Sequence, residues 1–191
     1  GGVLVLADEE VQRVEQVDLT TGQLAGGEKG RPVYTLDDVA DQGAGQFVVL
    51  TGCRKGHVRQ ALRSSTVLST ARENARDALS ELTQRFGADN VFVELFDHGH
   101  PGDDTDNALL AHIAQELRLP VVATGAVHYA RPENFPLAQA MAAVRARRSL
   151  DDMDGWLPAG PSAHLRSGAE MAARFQEFPH AIDRTVQLGS E

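Results

Sequence analysis

Short apolar runs, rich in β-branched and aromatic residues, alternate along this chain with longer stretches of helical periodicity. Val3 to Leu6, Phe47 to Thr51, Val91 to Leu95 and Pro120 to Thr124 read as strands, and each is nearly continuously apolar, the pattern of strands covered on both faces. Between the second and third runs, Ala71 to Phe86 sets Ala75, Ala78, Leu79, Leu82 and Phe86 on one helical face and stops at Gly87. A further helix is expected from an N-cap at Asp104 or Thr105, turning Leu109, Leu110, Ile113 and Leu117 inward before Leu119-Pro120 opens the next strand. Repeated strand, helix, strand order predicts an α/β fold with parallel strands and right-handed crossovers, which a barrel or a doubly wound sheet would both satisfy.

After Tyr129 the strand pattern ends, dividing the chain into a strand-bearing part over 1–130 and a helical part over 131–191. Helices are expected at Asn134 to Arg148, Ser167 to Phe175 and roughly Phe178 to Leu188. Between the first two, Ser149 to Ser162 carries Asp151, Asp152, Asp154, Gly155, Pro158, Gly160 and Pro161 and reads as a loop.

With 191 residues, 42% of them hydrophobic, the chain can bury a core of its own, and its length favours one domain. The formal net charge of −9 repels phosphate backbones, so any DNA contact has to come from a local patch or another domain. A single cysteine, Cys53, excludes an internal disulfide, and no N-terminal run joins basic residues to an apolar core, which together fit a cytoplasmic protein. No apolar run approaches the roughly 20 residues that span a bilayer. The start at Gly1-Gly2, without Met, reads as the start of a segment of a longer protein.

In α/β folds functional groups gather beyond the carboxyl ends of the strands. Cys53 falls there after FVVLTG, Glu94, Asp97, His98 and His100 after VFV, and His128 after VVAT and a short turn. Thiolate, imidazole and carboxylate are the side chains that ligate transition metals, and a catalytic centre takes at least three of them with one position open. Each also has a structural reading: Cys53 as a small residue at a strand end, His128 as a hydrogen-bonded loop histidine, and His98 with His100, flanking Gly99 before Pro101, as a solvated turn. Asp103, Asp104 and Asp106 read as charge complementing a helix N-terminus, and Arg145, Arg147 and Arg148 as cations at a helix C-terminus that could also meet phosphate. The Gly-rich Gly22 to Arg31 lacks the strand-to-helix setting of a phosphate-cradling loop, and no G-x-S-x-G, Walker or HExxH motif occurs. Spacing alone demonstrates no reaction.

The segments QLAGGEKGRPVY, VLTGCRKG, VELFDHGHPGDDTDNALLAHIAQELRLP, PVVATGAVHYA, AVRARRSLDDMDGWLPAG and HLRSGAEMAARF resemble the later part of the PHP domain of bacterial error-prone C-family DNA polymerases, paralogues of the replicative alpha subunit. The match is close from about Gln23 onward, whereas VLVLADEEVQRVEQVDLTTG is similar only in outline, a strand then a helix. The resemblance implies an incomplete PHP-type distorted β/α barrel with parallel strands and C-terminal helices. It also implies a parent protein that adds nucleotides to DNA in translesion synthesis and damage-induced mutagenesis. DNA and deoxynucleotides would be bound by polymerase domains absent from this chain, and a sliding clamp and mutagenesis accessory proteins would be partners. By the same resemblance Cys53 and His128 match metal-ligand positions, for zinc or manganese if the site were intact, while Ala126 stands where the family's D-V-H-Y pattern has aspartate. The early H-x-H pair has no counterpart here. The implied role is therefore a vestigial metal site in a structural domain, with a metal-dependent phosphoesterase or an interaction scaffold as alternatives. Loss of the first barrel strands would expose a sheet edge prone to pairing with another chain.

Overall fold

A computed structural model describes residues 2–5, 27–28, 31–32, 36–43, 47–153 and 160–190. They belong to two compact units, Gly1–Glu94 with Leu110–Pro120, and Leu95–Leu109 with Val121–Glu191.

The first unit carries β1 (Gly2–Val5), β2 (Gly27–Glu28), β3 (Arg31–Pro32), α1 (Leu36–Gln42), β4 (Phe47–Leu50), α2 (His57–Arg63), α3 (Leu68–Phe86) and all but the last residue of β5 (Val91–Leu95). Strands β1 and β4 pair in parallel with Val3 opposite Val48, and β4 and β5 in parallel with Val49 opposite Val91. Thr51, one residue past β4, continues the ladder by donating its N–H to the Phe92 carbonyl. Every residue of β5 is buried, Glu94 included, as its nearly continuous apolar run predicts for a strand covered on both faces. The expected α/β class with parallel strands is therefore present.

Helix α3 starts three residues before the expected Ala71 and buries Ala71, Ala75, Ala78, Leu79 and Leu82, the face read from the sequence, although Phe86 is only half-buried. Its stop is Gly87, whose φ of +83° would strain any residue bearing a Cβ. Where the Gly-rich segment is described, Gly27–Glu28 pairs antiparallel with Arg31–Pro32, a hairpin and not a strand-to-helix turn. The strand expected at Val3 to Leu6 is described only as Gly2–Val5, and the helix expected to follow it lies outside the described residues.

Helix α4 (Asp103–Leu117) starts one or more residues earlier than the expected cap at Asp104 or Thr105. Within it Leu110 and Ile113 are buried while Leu109 and Leu117 are half-buried. In the first unit its Glu116 binds two cations of α3, Arg72 at 2.9 Å and Arg76 at 3.0 Å, an exposed network of modest worth.

The second unit contains the β5–α4 loop, β6 (Val121–Ala123), α5 (Phe135–Ala146), a 3-10 turn at Leu150–Met153, α6 (Gly168–Arg174) and α7 (Pro179–Leu188). The three C-terminal helices stand where the sequence places them, each slightly shorter than expected. Ser167 caps α6 by accepting from the Glu170 N–H, while the Glu170 carboxylate accepts in return from the Ser167 N–H. Strand-like pairing does not end at Tyr129, because Tyr129 forms an isolated parallel bridge with His164. The expected loop from Ser149 to Ser162 begins instead with the 3-10 turn that buries Met153, and 154–159 lie outside the described residues.

One side chain in this unit meets the backbone of β6. The Thr185 hydroxyl of α7 accepts the Ala123 N–H at 3.0 Å and lies 2.9 Å from the Ala123 carbonyl and 2.8 Å from the Ala181 carbonyl. The hydroxyl thus accepts the Ala123 amide and shares its single proton between two carbonyls.

Candidate functional site

Three segments of the second unit converge on His98: the loop leaving β5, the turn after β6, and the stretch Gly160 to Arg166. The first is shaped by Asp103, whose Oδ2 accepts the His98 N–H at 3.0 Å and the His100 N–H at 3.1 Å. At the first turn of α4 this carboxylate also meets the positive end of the helix, so its position serves loop and helix together. Asp97 turns the other way. Its Oδ1 accepts the Gly99 N–H at 2.7 Å, and its Oδ2 pairs with Arg174 of α6 at 2.7 Å. Asn107 closes the base of the loop by donating to the Phe96 carbonyl at 3.0 Å.

So held, His98 is 7% exposed. The solvated turn expected for His98 and His100 is not found: His98 is buried and His100 half-buried. The acidic run proves to be more than helix-end charge, since Asp103 folds the loop before it. The signal in the sequence was the carboxylate five residues after the histidine, at the start of a helix, where it could reach back to two loop amides.

The turn after β6 meets the imidazole directly. Nε2 of His98 lies 3.1 Å from both the Gly125 and Ala126 carbonyl oxygens. Both partners are acceptors, so Nε2 carries the proton and Nδ1 is the basic nitrogen. Ala126 has φ +39°, a left-handed conformation that alanine adopts at a cost and that aspartate or asparagine tolerates better. The ring of His128 stands 5.8 Å from that of His98 at 88°, and Phe96 packs against the His98 ring at 5.1 Å.

The third segment fastens the first two. The Ser162 hydroxyl donates to the His98 carbonyl, Arg166 donates to the Ser162 carbonyl, and the His128 N–H donates to the Ala163 carbonyl at 2.8 Å. His128 is exposed while its backbone is pinned. Cys53 belongs to the first unit, half-buried in the β4–α2 loop, with its carbonyl accepting the Gly56 N–H at 2.8 Å. Arg145 lies in the last turn of α5, which ends at Ala146, and Arg147 follows as a left-handed cap with φ +53°.

Electrostatics favour a neutral imidazole. Burial lowers the His98 pKa from its ordinary value, the hydrogen bond to the Gly125 carbonyl opposes this, and the neighbouring His128 adds to the lowering. The unfolded chain therefore binds this proton more readily than the folded one. Stability from this group is complete above the ordinary imidazole pKa of about 6.5 and is lost as pH falls through the lower folded value. Urea titrations from pH 7.5 to 5 are expected to show a steeper loss for the native chain than for His98→Gln, whose amide can still donate to the two carbonyls. Equal slopes would refute the depressed pKa.

Among the described residues no group of three or more His, Cys, Asp or Glu side chains is arranged to hold a metal ion. The methyl group of Ala126 offers no donor, and Nε2 of His98 is occupied by backbone carbonyls. Among the described residues these donors do not complete a centre of the catalytic type.

No family model matches the chain. Relatives match it over nearly its whole length. It is 50% identical over 188 residues to an error-prone DNA polymerase of Cutibacterium acnes, covering 97% of this chain and 16% of that protein. It is 46% identical over 190 residues to an error-prone DNA polymerase of Nocardia farcinica, covering 99% of this chain and again 16% of the relative. The chain is homologous to one segment of the error-prone DNA polymerases. A DNA polymerase III subunit alpha from Saccharopolyspora erythraea is 32% identical over 163 residues, which are 85% of this chain and 13% of the relative. The segment shared with the error-prone polymerases includes Val3 to Gly22, where the sequence had shown similarity only in outline.

Proposed function

We propose that the chain is part of an error-prone DNA-directed DNA polymerase acting in translesion synthesis and damage-induced mutagenesis. Within that polymerase it serves as a structural PHP-type domain without a polymerase centre of its own. DNA and deoxynucleotides bind to the other domains, and a sliding clamp and mutagenesis accessory proteins are partners of the assembly. Among the described residues no helix is long and apolar enough to cross a membrane, in keeping with work on DNA.

The observation that carries the structural role is the engagement of His98 with Ala126. Where the family pattern has a carboxylate this chain has a methyl group, and the nearest buried imidazole spends its Nε2 proton holding the backbone of that turn. Cys53 and His128 are accordingly vestigial ligand positions. A metal-dependent phosphoesterase using zinc or manganese is the competing reading, motivated by these same two side chains.

Elemental analysis of the purified chain, after exposure to zinc or manganese and removal of excess metal, separates the two. The structural reading expects substoichiometric metal, unchanged in Cys53→Ala and His128→Ala. Stoichiometric metal lost in both variants, together with phosphoesterase activity abolished by chelation, would overturn it.

A further inference from the structure

Helix α5 buries little of itself. Of its twelve residues only Ala143 is buried, while Leu137, Met141 and Val144 are 61%, 66% and 78% exposed. Their spacing of four and then three residues puts all three on one face, a continuous apolar stripe. Leu150, in the 3-10 turn that packs against α5 within the same unit, is 54% exposed. Arg145, in the last turn, and Arg147, at the cap, are exposed and place positive charge at the C-terminal end of the helix. Contiguous apolar surface of this kind on a water-soluble domain marks a binding face. A helix face with anchors at i, i+4 and i+7 suits insertion into an apolar groove.

Resting on the reading of this chain as a polymerase domain, we infer that the stripe Leu137–Met141–Val144 docks into an apolar groove, rimmed by carboxylates, on the remainder of the same polymerase polypeptide. Length selects this occupant: error-prone polymerases that align with 97–99% of this chain devote 16% of their own length to it, so most of each polypeptide remains to cover its faces. Charge adds the rim. Arg145 and Arg147 sit on the helix that bears the stripe, whereas the exposed Asp151 and Asp152 belong to the following turn, so acidic residues are called for opposite the helix end.

Methionine oxidation reads this face without substitution. The chain has three methionines, and Met141 is the exposed one of a pair whose other member, Met153, is 2% exposed. A polymerase-length polypeptide containing this segment is treated with hydrogen peroxide, native and in urea, and sulfoxide formation at each methionine is followed by mass spectrometry. Docking predicts that native Met141 is protected relative to urea by about tenfold or more, as Met153 is, at every protein concentration. Oxidation of native Met141 at nearly its urea rate would overturn the inference. Protection that disappears on dilution would also overturn it, by naming a second copy as the occupant. Primer extension by the same preparation is the separate readout of polymerase membership, so a polymerase that extends primers with Met141 unprotected fails the docking inference alone.

Discussion

Asp103→Ala is expected to destabilise the second unit by about 2–4 kcal/mol, the largest effect of any single change around the candidate site. Asp103 is 1% exposed, and one of its carboxylate oxygens takes the N–H groups of both His98 and His100. Hydrogen bonds to a charged acceptor contribute more than neutral ones, and their loss leaves two amides of a packed loop without the oxygen that folds them. Alanine also removes negative charge from the first turn of α4. Asp103→Asn should recover part of the loss, because its amide oxygen still accepts. Urea unfolding at neutral pH measures both variants. A second readout links this residue to the site: if Asp103 is what holds His98 in its buried position, the pH slope assigned to His98 should flatten in Asp103→Ala. An alanine variant within about 0.5 kcal/mol of the native chain would show that the loop keeps its shape without the carboxylate.

Thr185→Val should cost about 1–3 kcal/mol, although valine matches threonine in shape. The hydroxyl accepts the N–H of Ala123, a buried strand residue, and shares its single proton between the Ala123 and Ala181 carbonyls, so a methyl group in its place leaves the Ala123 amide without its acceptor where water has little access. Thr185→Ser keeps the oxygen and should lose much less. Hydrogen exchange at the Ala123 amide gives the local test: faster exchange in the valine variant and near-native exchange in the serine variant. If valine leaves the exchange rate unchanged, the strand edge is protected by something other than this hydroxyl.

The parts of the fold legible in the sequence were those in which a local pattern repeats often enough. Strand β5 shows four apolar residues in a run of five, and α3 repeats a small-and-leucine face from Ala71 to Leu82 before ending at a glycine. Helices α1 and α2 were not read because seven residues offer only two turns. In α2 the periodic signal is Val58 with Ala61 and Leu62, a single i, i+3, i+4 set. Boundaries moved where a side chain did backbone work: α4 begins at Asp103 because that residue is both first turn and loop clasp. The candidate site was legible only in its membership. Histidines and carboxylates at strand ends could be picked out, but the burial of His98 depends on carbonyls at Gly125 and Ala126, 27 and 28 residues further on, and on Ser162, 64 residues away. Nothing near HGHP announces those partners, and the flanking glycine and proline point toward solvent. The Tyr129 to His164 bridge escaped notice for the same reason, since one pair of residues leaves no periodicity.

The turn at Ala126 also bears on how the segment changes through descent. Its backbone sits in a conformation more congenial to aspartate than to the alanine it holds. An alanine codon ending in a pyrimidine becomes an aspartate codon by one base change, and the main chain would have no rearrangement to make in receiving the new carboxylate. Gain of a carboxylate here is therefore a step that mutation can take at a single position, whereas a turn held in an ordinary alanine conformation would require several changes at once.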